Sequence, residues 1–308
     1  MTIINQLFRY TPTAFGGTEY MGRGWHKYIA SHMPKLNNYS AYIIPGITPD
    51  LQGLIATDKE LIIWMHNTPQ QFDYDKLAIL KDSRFIAKVK YFVVPSEEHK
   101  RLTLKEIPIE PERIWVIPNA LEPLSYDNTK FNNLSTIRLI HTSSADRGLE
   151  ILLNAIPHIK DDIRVEIYND FYPDLQENAQ SFDPRIKFYG KTPKATVLEA
   201  IENSHIHAYP STYPETFCIS QVEAMSAGLL CVTSDIGALP EVSNGYTTIY
   251  PHEPDNNKHI EIFAEKLSEA IDTIKSGNWN PEAQIEHVNK TYSWDAIKDK
   301  WLEFHELI

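Results

Sequence analysis

Apolar residues in this chain fall into short unbroken runs and longer stretches with helical spacing, and the two kinds alternate. That alternation predicts an α/β protein whose parallel strands are covered on both faces. In the first part, strands are expected at 3–8, 39–46, 61–69 and 90–96, with another beginning at 113. A helix is expected over 19–33, where Met21, Trp25, Tyr28, Ile29 and His32 fall near helical spacing. A proline-punctuated polar stretch follows, and the pattern restarts with strands at 136–144, 164–169, 186–190, 205–211 and 229–235. The intervening helices are read at 148–159, 195–204 and 216–228, the last closed by Gly228. An amphipathic helix over 293–308 ends the chain, with Trp294, Ile297, Trp301 and Phe304 as its stripe. The pattern gives two doubly wound Rossmann-like halves joined near 122–136: one domain over 1–125, a second over 126–290, and the terminal helix at 291–308.

A length of 308 residues also favours two cores over one. The net charge of −12 is uneven: residues 1–125 carry 14 basic and 13 acidic side chains, the remainder 15 and 28. Such a balance excludes a duplex nucleic-acid partner, which needs a basic stripe. Lys81, Arg84 and Lys88 share a helix face, but a solvated surface explains them. Mean hydropathy is −0.35. No apolar run approaches the roughly 20 residues of a bilayer helix, so no transmembrane segment is expected. The first residues lack the pattern of a signal peptide, so cytoplasmic location is the expectation. Cys218 and Cys231 are too few for a disulfide framework or a cysteine metal site.

The most informative stretch is 209–241. Glu215 and Glu223 lie eight steps apart, about 12 Å along a helix, far enough to address two parts of one extended ligand. Thr216 and Phe217 are read at a helix start, where free backbone N–H groups attract anions such as phosphate. An N-capping threonine flanked by surface glutamates explains the same residues. Gly16 and Gly17 form an adjacent pair before the first helix, and His66 closes the strand at 61–66, at the edge where open α/β sheets present ligand residues. A turn histidine is the plain alternative. Asp73-Tyr74-Asp75 has the spacing of a metal-binding triplet, but the sequence after it reads helical. His205 and His207 share a strand face without a third ligand, and Gly22-Arg23-Gly24 lacks the third glycine of a dinucleotide fingerprint.

Taken in order, these segments resemble the family-four retaining glycosyltransferases of GT-B fold (glycosyl transferases group 1). The match runs through Pro210-Ser211, Glu215 with an aromatic two residues later, Glu223-Ala224-Met225, Gly228, and Gly237 followed by Pro240-Glu241. The resemblance implies two Rossmann-like domains facing a cleft, with the terminal helix packing back on the first domain. It implies a nucleotide-diphosphate sugar, UDP- or GDP-linked, as donor, an unidentified acceptor hydroxyl, and no metal or cofactor. By resemblance His66, Arg147 and Glu215 are catalytic. Gly16 and Gly17 face the diphosphate with Arg147, while Gly190, Lys191 and Thr192 meet the nucleobase. Glu215, Thr216 and Phe217 contact the donor, and Glu223 accepts from the ribose hydroxyls. The family commonly has a second basic residue where Thr142 stands. That departure keeps a second expectation open, a nucleotide-sugar-binding protein that has lost transfer.

Overall fold

Leu61–Met65, Ile206–Tyr209 and Leu230–Ser234 are buried at every position, as strands covered on both faces must be. The computed structural model describes residues 17–35, 40–44, 58, 60–71, 74–132, 134–169 and 183–308. The strand expected at 3–8, Gly16 and Asp73 lie outside the described residues. The chain divides into one unit of Met1–Leu121 with Tyr292–Ile308 and another of Glu122–Thr291.

In the first unit, α1 (Gly17–Tyr28) precedes β1 (Ser40–Ile44), β2 (Leu61–Met65), α2 (Tyr74–Leu80), α3 (Ser83–Lys88), β3 (Val89–Val94), α4 (Glu97–Glu106) and β4 (Ile114–Val116). The strands pair in parallel in the order β1-β2-β3-β4. Where a helix was expected to 33, α1 stops at Tyr28. The chain then tightens into a 3-10 turn, Ala30–His32, through bonds from His32 N to Ile29 O and Met33 N to Ala30 O. The C-terminal helix, Trp294–Leu307, belongs to this unit. Ser293 Oγ caps it by accepting from Ala296 N at 3.2 Å. Trp294, Ile297, Trp301 and Phe304 are all buried. Trp301 meets Trp64 edge-on at 5.1 Å and Trp25 at 5.8 Å, geometries that aromatic quadrupoles favour. Trp294 stacks on Tyr28 and lies so close to Gly24 that a β-carbon there would enter its ring. Gly24 is therefore a packing glycine.

The second unit contains β5 (Ile137–His141), α5 (Leu149–Ala155), β6 (Ile163–Ile167), β7 (Ile186–Phe188), α6 (Lys194–Glu202), β8 (Ile206–Tyr209), α7 (Ile219–Ser226), β9 (Leu230–Ser234), α8 (Leu239–Ser243), β10 (Thr248–Tyr250) and α9 (Asn256–Lys275). Its six strands are parallel in the order β10-β9-β8-β5-β6-β7. The chain runs outward one way from β5 and the other way from β8, so the order reverses between those neighbours. Open sheets bind ligands at such a switch point, outside the carboxyl ends of the strands. Among the described residues no helix is long and apolar enough to cross a membrane.

One helix start needs correction. Thr216 and Phe217 do not open the helix read at 216–228; α7 begins at Ile219. Cys218 holds φ 71° and ψ 79°, left-handed values that a helix cannot continue through, so the two residues before it form a bend.

Candidate active site

Two segments meet at the switch point of the second unit. The loop after β5 carries Arg147, and the loop after β8 carries Glu215. Gly148 permits the approach: its φ is +85°, and a β-carbon would collide with the carbonyl of Pro210. Arg147 Nε donates to Glu215 Oε1 at 3.2 Å, while its Nη1 pairs with Asp146. The guanidinium carbon lies 3.3 Å from the ring centroid of Tyr213, a cation–π contact that holds the fork flat. Burial acts to lower the pKa of Arg147, but Glu215 and Asp146 hold it raised. Burial pushes the Glu215 carboxyl upward, and Arg147 and the Tyr209 hydroxyl pull against that push. Tyr209 Oη donates to Glu215 Oε1 at 2.6 Å.

Other expected donor residues also belong to the second unit. Thr216 is half-buried and Phe217 buried, both ahead of α7. Cys218 gives α7 no side-chain cap, and Ser143 Oγ lies 3.2 Å from Ser220 Oγ in its first turn. Glu223, 2% exposed, faces Lys194 Nζ at 2.5 Å. Gly190, at φ +67°, has open space where a β-carbon would stand. Beside it Lys191 is exposed, whereas Thr192 Oγ1 is buried and has no hydrogen-bond partner among the described residues. The hydroxyl of Thr142 is buried in the same unpartnered way.

His66 and Gly17 belong to the first unit. Gly17 is exposed and starts α1. His66 follows β2, is 9% exposed, and has its ring 4.8 Å from that of Trp64. Burial, then the neighbouring His99, lowers its pKa to about 3, so the imidazole is neutral at physiological pH. His99 Nε2 lies 3.0 Å from the carbonyl oxygen of Asn67; that oxygen can only accept, so this nitrogen carries the hydrogen.

Sequence reasoning missed Tyr209, Tyr213, Lys194 and His99. A signal existed for two of them. Tyr209 puts a hydroxyl at the end of a fully buried strand, and Lys194 places a cation in the first turn of a helix, against the dipole. The histidines at 205 and 207 are both buried: His205 Nδ1 accepts from Arg138 N at 2.9 Å, and His207 stacks on Tyr209.

Residues 136–273 match the family described as Glycosyl transferases group 1. The chain is 26% identical over 235 residues to the phosphatidylinositol N-acetylglucosaminyltransferase gpi3 subunit of Schizosaccharomyces pombe, an alignment covering 72% of this chain and 50% of that protein. It is 23% identical over 171 residues to phosphatidyl-myo-inositol mannosyltransferase of Mycobacterium tuberculosis, covering 53% and 44%. The chain thus spans about half the length of these curated relatives. Among solved structures, Anabaena Alr3699/HepE in complex with UDP-glucose superposes with a TM-score of 0.69 at 15% identity, over 91% of this chain and 82% of that one.

Proposed function

We propose that this member of the glycosyl transferases group 1 family, of GT-B fold, transfers a sugar from a nucleotide-diphosphate donor to an acceptor hydroxyl. The observation that carries the reading is the meeting of Arg147 and Glu215, 68 residues apart, at the switch point of the second unit's sheet. Transfer develops negative charge on the leaving diphosphate and positive charge on the sugar, and preorganised groups of opposite sign stabilise both. Arg147 suits the diphosphate through the N–H donors that Glu215 and Asp146 do not engage, and Glu215 suits the sugar hydroxyls. Glu223 suits the ribose, with Thr216, Phe217, Gly190, Lys191 and Thr192 along the donor.

On this reading the anomeric configuration is retained, the leaving phosphate takes the acceptor proton, and the reaction needs neither metal nor cofactor. Gly16, Gly17 and His66 keep the donor-side roles that the family resemblance implies, with His66 a neutral group. UDP is the first nucleotide to test, because a UDP-glucose complex is among the similar folds. A phosphatidylinositol lipid is the first acceptor, since both named relatives carry that substrate in their names. We place the reaction in the cytoplasm. The test is an assay with UDP-, GDP- and ADP-sugars, with and without EDTA, reading the product anomer by NMR. Transfer with retention supports the proposal; inversion, or loss of turnover in EDTA, refutes those parts of it. Thr142, standing where a second cation is common, favours one alternative: nucleotide-sugar binding without transfer. Selective thermal stabilisation by a sugar nucleotide with no turnover would identify it.

A further inference from the structure

We propose that Tyr209 is a positioning residue for Glu215, fixing one carboxylate oxygen so that the other is presented to a donor-sugar hydroxyl; this rests on the transferase reading above. Tyr209 closes β8 and is fully buried. A phenol there needs a partner for its hydroxyl, and its partner is Glu215 Oε1 at 2.6 Å. Arg147 Nε donates to the same oxygen at 3.2 Å. Both donors converge on Oε1. The Glu215 side chain is 14% exposed, so the residue is not sealed from a ligand.

The backbone of Glu215 is held as well. Ala238 N donates to its carbonyl at 2.8 Å. Gly237, at φ +64°, closes on it so tightly that a β-carbon would lie 2.5 Å from both its N and its O. Tyr209 is itself immobilised by the ring of His207, stacked at 5.2 Å, and by His141 at 5.7 Å. The titratable groups around the carboxylate are Arg147 and Asp146 from the loop after β5, Tyr209 from β8, and Tyr213 and Cys218 from its own loop. Burial holds both the Tyr209 phenol and the Cys218 thiol well above their ordinary range, so neither competes as an anion. Tyr209 therefore remains a donor throughout the working pH range and favours the ionised form of Glu215.

The experiment uses the full chain, with UDP and UDP-glucose as probes in titration calorimetry. Wild type must bind UDP-glucose; if it binds neither probe, the UDP-donor reading fails and this inference fails with it. With binding established, Tyr209→Phe is expected to weaken UDP-glucose about tenfold while changing UDP less than twofold, because only the sugar reaches Glu215. It should also raise the pH at which UDP-glucose affinity falls on the acid side. In a Glu215→Gln background the same change should have little further effect on affinity. Equal losses for both probes, or an unmoved acid limb, would overturn the proposal. Should Tyr209→Phe fail to fold, 3-fluorotyrosine at 209 keeps the ring and makes the hydroxyl a stronger donor. The acid limb must then move down, and a static limb overturns the proposal.

Discussion

Lys194 Nζ lies 2.5 Å from Glu223 Oε1, reaching a carboxylate that is 2% exposed from the first turn of α6. A cation at a helix N-terminus opposes the dipole, so the pairing must offset that cost as well as the desolvation of Glu223. Lys194 keeps a 35% exposed side chain, and water replaces part of its role when it is removed. Lys194→Ala is therefore expected to destabilise the protein by about 1–3 kcal/mol, below the usual loss for a fully buried pair. Urea unfolding measures it, and an unchanged midpoint would show the pair to be energetically idle.

Arg147 touches Glu215, Asp146 and Tyr213, all groups that fix its orientation. Arg147→Ala is expected to lower kcat by about 10²–10³-fold with a much smaller change in donor KM, as for the loss of a group that acts on developing charge. Arg147→Lys keeps the charge but loses the fork and the flat stacking, so it should recover only part of the rate. Small equal losses in kcat and affinity would count against the role.

His66, His99 and His207 are buried with pKa values lowered to about 3, and His141 to about 4. Desolvation is the first cause in each. Their unfolded counterparts take up protons below the ordinary histidine value of 6.5, where the native protein does not. Stability that is full above pH 6.5 is thus lost as pH falls toward 4, each histidine contributing up to about 1.4 kcal/mol per pH unit in that window. Thermal melts between about pH 8 and 4 should show this fall. Replacing His207 by Gln should flatten it, and an unaltered slope would mean that His207 titrates normally.

Gly24 faces the ring of Trp294 with no room for a β-carbon. Gly24→Val must displace that ring, and we expect a loss above about 2 kcal/mol, in the range of overpacked cores. The loss should shrink in a Trp294→Ala background, which removes the obstacle; additive losses in a denaturant series would place the strain elsewhere.

Cys218 holds a left-handed conformation with a side chain 7% exposed. Cys218→Gly removes a backbone cost of about 1–2 kcal/mol and loses a comparable amount of packing and chain entropy, so stability should stay within about 1 kcal/mol of wild type. Cys218→Val places a β-branched residue at positive φ and should cost more than about 2 kcal/mol. The pair is read from urea midpoints, and equal behaviour of the two variants would argue against backbone strain at 218.

What the sequence determined by itself was the grammar of the sheets. Strands covered on both faces appear as continuous apolar runs, which is why Leu61–Met65 and Leu230–Ser234 were readable as parallel strands without any contact being known. The stripe of Trp294, Ile297, Trp301 and Phe304 was equally plain, because its spacing follows helix geometry alone. Tertiary structure decided the start of α7, since a positive φ at Cys218 has no counterpart in composition or period. It also decided that Tyr209 and Arg147, 6 and 68 residues from Glu215, share one carboxylate oxygen. Local pattern reports which face a residue takes; which strand ends stand side by side depends on the order of the whole sheet, and that order brought β5 and β8 together.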